Sequence, residues 1–353
     1  MKQLKFFMFI LLAITIFSCY SIESDCPDCG DNYGDIIWEP TGNLPHLVGS
    51  LYWTDWRITM ASNGNIWAYS YDISNHPYDI NNQLGLYLST NNGDTWVDKS
   101  NTYASTFIDE LYVSSVNGYI FASSVNAGLF RSTDNGENWE NIIDSTGRFF
   151  LVTESGEIYT IRSHENGNDL YYSNNNGNTW IKKSSSTLLP PLALGKDGTL
   201  YAGTGTKRGV YHSTDGGVTW LPPANYDSVR IGSLTICDDG SIFVGTSTYG
   251  AMILKSTDKG VNWNNVDTGF DFTSCIKIIF NPITKDIFFS ALVDVGFTNS
   301  YAKVYRTTNS GKDWKLEHHG LQDPYFDLAV NPKTGQMFIG ARNGVYRTKN
   351  YPK

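Results

Sequence analysis

Three arginines occupy comparable positions along the 353-residue chain: Arg57, Arg148 and Arg230 stand 7, 8 and 10 residues before Gly64, Gly156 and Gly240. Guanidinium groups brought together by converging strands would bind a carboxylate or sulfate through paired N–H donors. Ion pairs with neighbours such as Glu110 or Asp227 are the alternative use of the same charges. Aromatic residues gather between the apolar runs: Trp53, Trp56, Tyr78, Tyr226 and Tyr325, with His76, Phe297, His318 and His319 in the same segments. Such rings stack on sugars or anchor a protein partner, and they also stiffen the loops that carry them. A catalytic acid and its nucleophile lie far apart in sequence, so no catalytic residue is assignable.

Metal chemistry finds little support. Of five cysteines, Cys26 and Cys29 form a CxxC, but no second Cys or His pair stands at zinc-ligand spacing. A small disulfide is the expected use of that pair, and neither metal nor cofactor is expected. Cys237 and Cys275 sit in apolar runs and read as buried free thiols.

The elements that must position these residues are written as a repeat. STDNGENW, from Ser132, recurs as variants starting at 89, 173, 213, 256 and 307, with a degenerate copy from Thr348. The intervals are 43, 41, 40, 43, 51 and 41 residues. A period near forty with four strand-like segments per unit specifies an all-β, seven-bladed β-propeller with four-stranded antiparallel blades. Gly64, Gly118, Gly156, Gly198, Gly240 and Gly335 mark the inner hairpin turns, while blade six has Thr284-Lys285-Asp286 instead. The last unit lacks its outermost strand. Asp35-Ile36-Ile37-Trp38-Glu39-Pro40 matches the missing piece, so the ring is expected to close by pairing this N-terminal strand with Val345-Tyr346-Arg347-Thr348.

The pattern S-x-D-x-G-x-[TN]-W resembles the Asp-box, or BNR repeat, of sialidases, sortilin-type receptors, xyloglucan-degrading hydrolases and photosystem II assembly propellers. The resemblance covers nearly the whole mature chain and implies the fold, but not an activity, since those relatives include enzymes, receptors and assembly factors. The box residues are Asn91, Trp96, Asp134, Trp139, Asn175, Trp180, Asp215, Trp220, Asp258, Trp263, Asn309 and Trp314. Half of the acids are replaced by Asn, which keeps an acceptor oxygen and loses the charge, so a structural role is expected. The arginine set resembles the sialidase triad. However, Trp56-Arg57-Ile58-Thr59 lacks the proline of that family's Phe-Arg-Ile-Pro segment, and sialidase propellers have six blades. The xyloglucan hydrolases use two propellers where this chain has one.

Met1 to Ser18 read as a signal peptide, and Ile16-Phe17-Ser18-Cys19 resembles a bacterial lipobox with Cys19 as the lipid attachment site. Residues 19–35 read as a lipidated tether and 36–353 as a single propeller domain. Loss of Lys2 and Lys5 leaves 24 basic residues against 35 acidic, a field that repels nucleic acid and anionic lipid. The expectation is therefore a monomeric, non-catalytic lipoprotein of the bacterial envelope. It would sit in the outer membrane, surface-exposed or periplasmic, touching the membrane only through its anchor. It would bind a glycan, or an envelope or secreted protein, on the face opposite the Asp-boxes. The alternative is a secreted glycoside hydrolase, exo-sialidase-like or xyloglucanase-like.

Overall fold

The computed structural model describes residues 34–42, 44, 54–72, 83–100, 108–124, 127–144, 150–164, 167–186, 188–204, 209–247, 250–294, 300–317, 321, 327–341 and 344–352. Cys19, the CxxC pair, Trp53, Tyr78, Arg148 and Tyr325 lie outside the described residues.

The chain forms a seven-bladed propeller of antiparallel sheets. Blade two shows the plan: Glu110–Val113 innermost, then Ile120–Ser124, Gly128–Ser132 and Glu140–Ile143, each bonded to the next. Its second strand is buried at every position because other blades cover both of its faces, whereas its outermost strand stays largely solvated. The other innermost strands are Thr54–Met60 in blade one, Phe150–Val152 in three, Leu188–Leu194 in four, Ile231–Ile236 in five, Ser274–Phe280 in six and Asp327–Val330 in seven. Blade four departs from the plan, its fourth strand being reduced to a bridge between His212 and Leu221. Pro222 and Pro223 follow, and without N–H groups they cannot extend the ladder.

Seven core clusters fill the seven junctions between blades. Trp67, Tyr69, Leu86 and Leu88 of blade one meet Leu111, Val113 and Ile120 of blade two, for example. Across the first–last junction, Trp56, Ile58 and Ile66 meet Phe338 and Val345. A Cβ on Gly340 would lie 2.2 Å from the Trp56 carbonyl oxygen, so that junction needs glycine there. The N-terminal strand completes blade seven as expected: Trp38 pairs with Thr348, Glu39 with Arg347 and Pro40 with Tyr346. Beside it, wholly buried Glu317 accepts the Ile36 N–H at 3.0 Å through one carboxylate oxygen and meets Arg306 Nε at 2.7 Å through the other.

The repeated turn satisfies itself. Ser132 Oγ accepts the Gly136 N–H and donates to Asp134 Oδ1, each at 2.9 Å, and that oxygen also accepts the Asn138 N–H at 2.9 Å. Asn175 makes the same bonds to Ser173 Oγ and the Thr179 N–H, so the charge is not needed for the turn. Gly136 has φ 81°, and a Cβ there would come 3.0 Å from the Trp67 ring of the preceding blade. In blade six Lys285 takes the left-handed conformation, φ 66°, that glycine supplies at the equivalent turns. Burial of the turn tryptophans is uneven, because cover depends on what lies outside each blade. Trp38, Trp263 and Trp314 are buried, whereas Trp96, Trp139, Trp180 and Trp220 are only partly covered.

Candidate functional site

The face carrying the repeated turns is occupied by structural bonds. Lys196 and Lys285, from the inner turns of blades four and six, converge on Asp238 of blade five at 2.7 and 2.5 Å. Their bonds hold the Asp238 carboxyl below its usual range. Lys259, in the repeated turn of blade five, reaches Asp197 at 2.8 Å. The inner strands end on this face, so their first residues lie at the opposite one.

An innermost strand is paired along one edge only, and its other backbone edge faces the axis, where N–H and C=O groups need partners. Side chains of neighbouring blades supply them. Asp327 Oδ2, in blade seven, accepts the Ile58 N–H of blade one at 3.1 Å. Arg57 Nη1 donates to the Asp109 carbonyl of blade two at 2.6 Å. The Phe150 backbone of blade three acts on the Glu110 carboxyl in the direction that favours its charged form. Ser233 Oγ and Thr235 Oγ1 of blade five accept the Ile278 and Phe280 N–H groups of blade six at 3.0 and 3.1 Å.

Three of these inner-strand residues are charged, and Lys277, midway along the innermost strand of blade six, joins them. Lys277 Nζ lies 3.7 Å from Asp327 Oδ1, with the Lys277 side chain 41% exposed. Burial pushes the Glu110 carboxyl up to about 7, against the pull of Lys277 and then Arg57, with Asp327 adding to the rise. Glu110 Oε2 is sealed from solvent and has no hydrogen-bond partner among the described residues. Under the cluster, burial raises the Tyr69 phenol well above its ordinary value, Arg57 opposing and Asp327 and Glu110 reinforcing. Blades six, seven, one and two thus present Lys277, Asp327, Arg57 and Glu110 with alternating sign. Among the described residues no group of three or more His, Cys, Asp or Glu is placed to hold a metal ion.

Of the residues singled out in the sequence, Arg57 belongs to this cluster. Trp56 is 4% exposed and packs edge-on against Tyr87 at 5.7 Å, within the junction core. Tyr226 adopts φ 56° and packs against the core between blades four and five. Arg230 is exposed just ahead of the innermost strand of blade five, its carbonyl accepting the Ser247 N–H at 3.0 Å. Lys277, Asp327 and Tyr69 were not singled out. A lone charge inside an apolar inner strand, as in SCIKIIF, was the available signal. Cys237 and Cys275 are free and buried.

This architecture defines the chain as a seven-bladed β-propeller. No family model and no characterised protein sequence matches it. Solved structures do, at the level of fold. A GH74 xyloglucanase from Xanthomonas campestris superposes with TM-score 0.64 and 16% identity over 88% of this chain, which spans 53% of that one. YCF48 bound to D1 peptide gives 0.65 and 14%, covering 90% of this chain and 97% of that one. A streptogramin B lyase gives 0.64 and 14%, covering 90% and 99%. These similar folds carry a hydrolase, a peptide-bound protein and a lyase, so the fold alone selects no activity.

Proposed function

We propose that the chain is a non-catalytic binding propeller of the Asp-box type. It is exported, anchored in the bacterial outer membrane by lipid on Cys19, and binds a glycan or protein partner on the face opposite the repeated turns. One observation carries the non-catalytic reading: of the axial carboxylates among the described residues, Asp327 is tied to the Ile58 N–H at 3.1 Å, and both it and Glu110 are drawn on by Lys277. A glycoside hydrolase needs two carboxyls facing a substrate across a cleft, one to give a proton and one to attack or activate water. A carboxylate that joins neighbouring strands, as Asp327 does, serves positioning instead. The structural bonds across the turn-bearing face further favour the other face for a partner.

The test uses the mature chain with Cys19→Ser, purified without lipid, offered to a glycan array and to sialyl-lactose and xyloglucan oligosaccharides in solution. Binding without product is expected, as is loss of radiolabelled palmitate from the variant in cells. Turnover of either oligosaccharide would overturn the reading in favour of the hydrolase. Unchanged labelling would remove the anchor.

A further inference from the structure

Two carboxylates stand at the axis under the pull of one ammonium, and one of them keeps an oxygen without a hydrogen bond among the described residues. Asp327 is fixed through Oδ2 by the Ile58 N–H, leaving Oδ1 facing Lys277 at 3.7 Å, beyond hydrogen-bond length. Glu110 Oε2 is sealed from solvent and has no hydrogen-bond partner among the described residues. Lys277 is the leading cation acting on Glu110 and the one placed beside Asp327, so one ammonium serves two carboxylates from blades two and seven. It does so loosely, on a flexible stem that is 41% exposed. Arg57, by contrast, is tied to the Asp109 carbonyl at 2.6 Å.

We propose that this cluster is a receptor for a basic side chain of a protein partner, with the Lys277 ammonium standing where the partner's ammonium or guanidinium goes. The inference rests on the binding-propeller reading above. With Lys277 swung aside, ionised Glu110 and Asp327 with Arg57 carry one net negative charge, the complement of one incoming cation. Asp327, already fixed by the Ile58 N–H, costs little to order on binding. The formal charge of −9 on the whole chain draws basic partners and repels acidic ones. An anionic ligand would instead have to compete with two fixed carboxylates for cations already engaged. The groups facing Glu110 are Arg57, Lys277, Asp327 and the Tyr69 phenol. Because Glu110 gains a proton near neutrality, capture of a cation strengthens as pH rises through that region.

Calorimetric titration of the mature Cys19→Ser chain with pentalysine, and with its fully Nε-acetylated form, tests this. Lys277→Met should tighten pentalysine binding about tenfold, and Glu110→Gln and Asp327→Asn should each weaken it about tenfold, the scale of one charge-assisted contact. Asp144→Asn, at an exposed acid just after the outermost strand of blade two, should leave it unchanged. Wild-type affinity should rise from about pH 6 to about pH 8, and Glu110→Gln should flatten that rise. Thermal melts establish that each variant folds, and Lys277→Met, which removes only a half-exposed charge, keeps the test decisive if a carboxylate variant does not. Equal binding of the acetylated peptide, an equal loss in Asp144→Asn, or no gain in Lys277→Met overturns the proposal. Absence of pentalysine binding beside retained glycan binding sinks this inference alone, whereas oligosaccharide turnover sinks the reading beneath it.

Discussion

Arg347 Nη1 donates to the carbonyl oxygen of Asn92 at 2.8 Å, across the seam where the last blade meets the first. Asn92 has φ 62°, so the left-handed residue of the repeated turn presents its carbonyl to the preceding blade. The relationship recurs: Arg131 donates to the carbonyl of Asn176, φ 57°, at 2.8 Å, and Lys255 to that of Ser310, φ 59°, at 3.0 Å. The turn therefore joins blades as well as closing its own hairpin.

Arg347→Ala removes this bond together with ion pairs to Asp94 at 2.6 Å and Glu39 at 3.1 Å. A charge-assisted hydrogen bond contributes about 1.5–3 kcal/mol, and the partly exposed ion pairs add less. The seam also depends on an N-terminal strand of three residues. Urea unfolding should show Arg347→Ala losing about 2–3 kcal/mol, and losing more than Arg131→Ala. Equal losses would mean that the seam is no weaker than an internal junction.

Within the repeated turn, donor and acceptor exchange places together. Asp134 accepts from the Asn138 amide, and Asp258 from that of Asn262, whereas Asn309 donates its own amide to Asp313. Bonds from Asn138 hold the Asp134 carboxyl at about 2. Asp134→Asn alone sets amide against amide and should lower the melting temperature by about 1–2 °C. Adding Asn138→Asp should restore it, a double-mutant cycle read by calorimetry.

The turn tryptophans divide by cover. Trp263 is 2% exposed, and Asn225 bonds both its backbone N–H and its carbonyl at 2.8 Å, while Trp139 is half-buried. Trp263→Ala should cost about 3–5 kcal/mol and Trp139→Ala distinctly less. Similar unfolding midpoints for the two would show that burial does not set their worth.

The ring, its blade count and the closing strand were legible because each blade repeats one turn at a period that strand geometry fixes. Asp134, Asn175 and their equivalents announce themselves by local spacing. The axial cluster was not legible, since Lys277, Asp327, Arg57 and Glu110 come from four blades and no spacing relates them. Trp56 misled because an aromatic beside an arginine at a strand start reads as rim, while alternation turns its ring into the junction core. Blade four's shortened edge was foreshadowed by Pro222-Pro223, whose missing N–H groups matter only where a ladder was due.

Arg306 is the cation for two buried carboxyls at the closure. It lies 2.7 Å from Glu317 and 3.6 Å from Asp286, and Tyr351 donates to Asp286 at 2.8 Å. Burial raises both carboxyls and Arg306 pulls both back. Arg306→Met should cost about 3–5 kcal/mol near neutrality, because the two buried charges left behind lose their cation and keep the hydrogen bonds from Tyr351 and the Ile36 N–H. Acids with raised folded pKa values favour the fold when protonated, so stability in the variant is greatest below the ordinary carboxylate range and falls as pH rises. Urea midpoints at about pH 5 and about pH 8 should show the larger deficit at the higher pH.

Glu110 extends the same sign to the axial site. Its folded pKa of about 7 stands above the ordinary 4.5, so its favourable contribution is complete below 4.5 and disappears as pH rises through 7. Above that, the fold carries a buried charge held only in part by Lys277 and Arg57. Glu110→Gln keeps the shape of the side chain and removes the charge. It should therefore raise stability at about pH 8 by roughly 3 kcal/mol at most, and change little at about pH 5. Chemical unfolding at the two values checks this, and an unchanged difference between them would place the titration elsewhere. A substitution that stabilises the fold while weakening pentalysine would show that Glu110 is kept at a cost in stability, as binding groups are and purely structural ones are not.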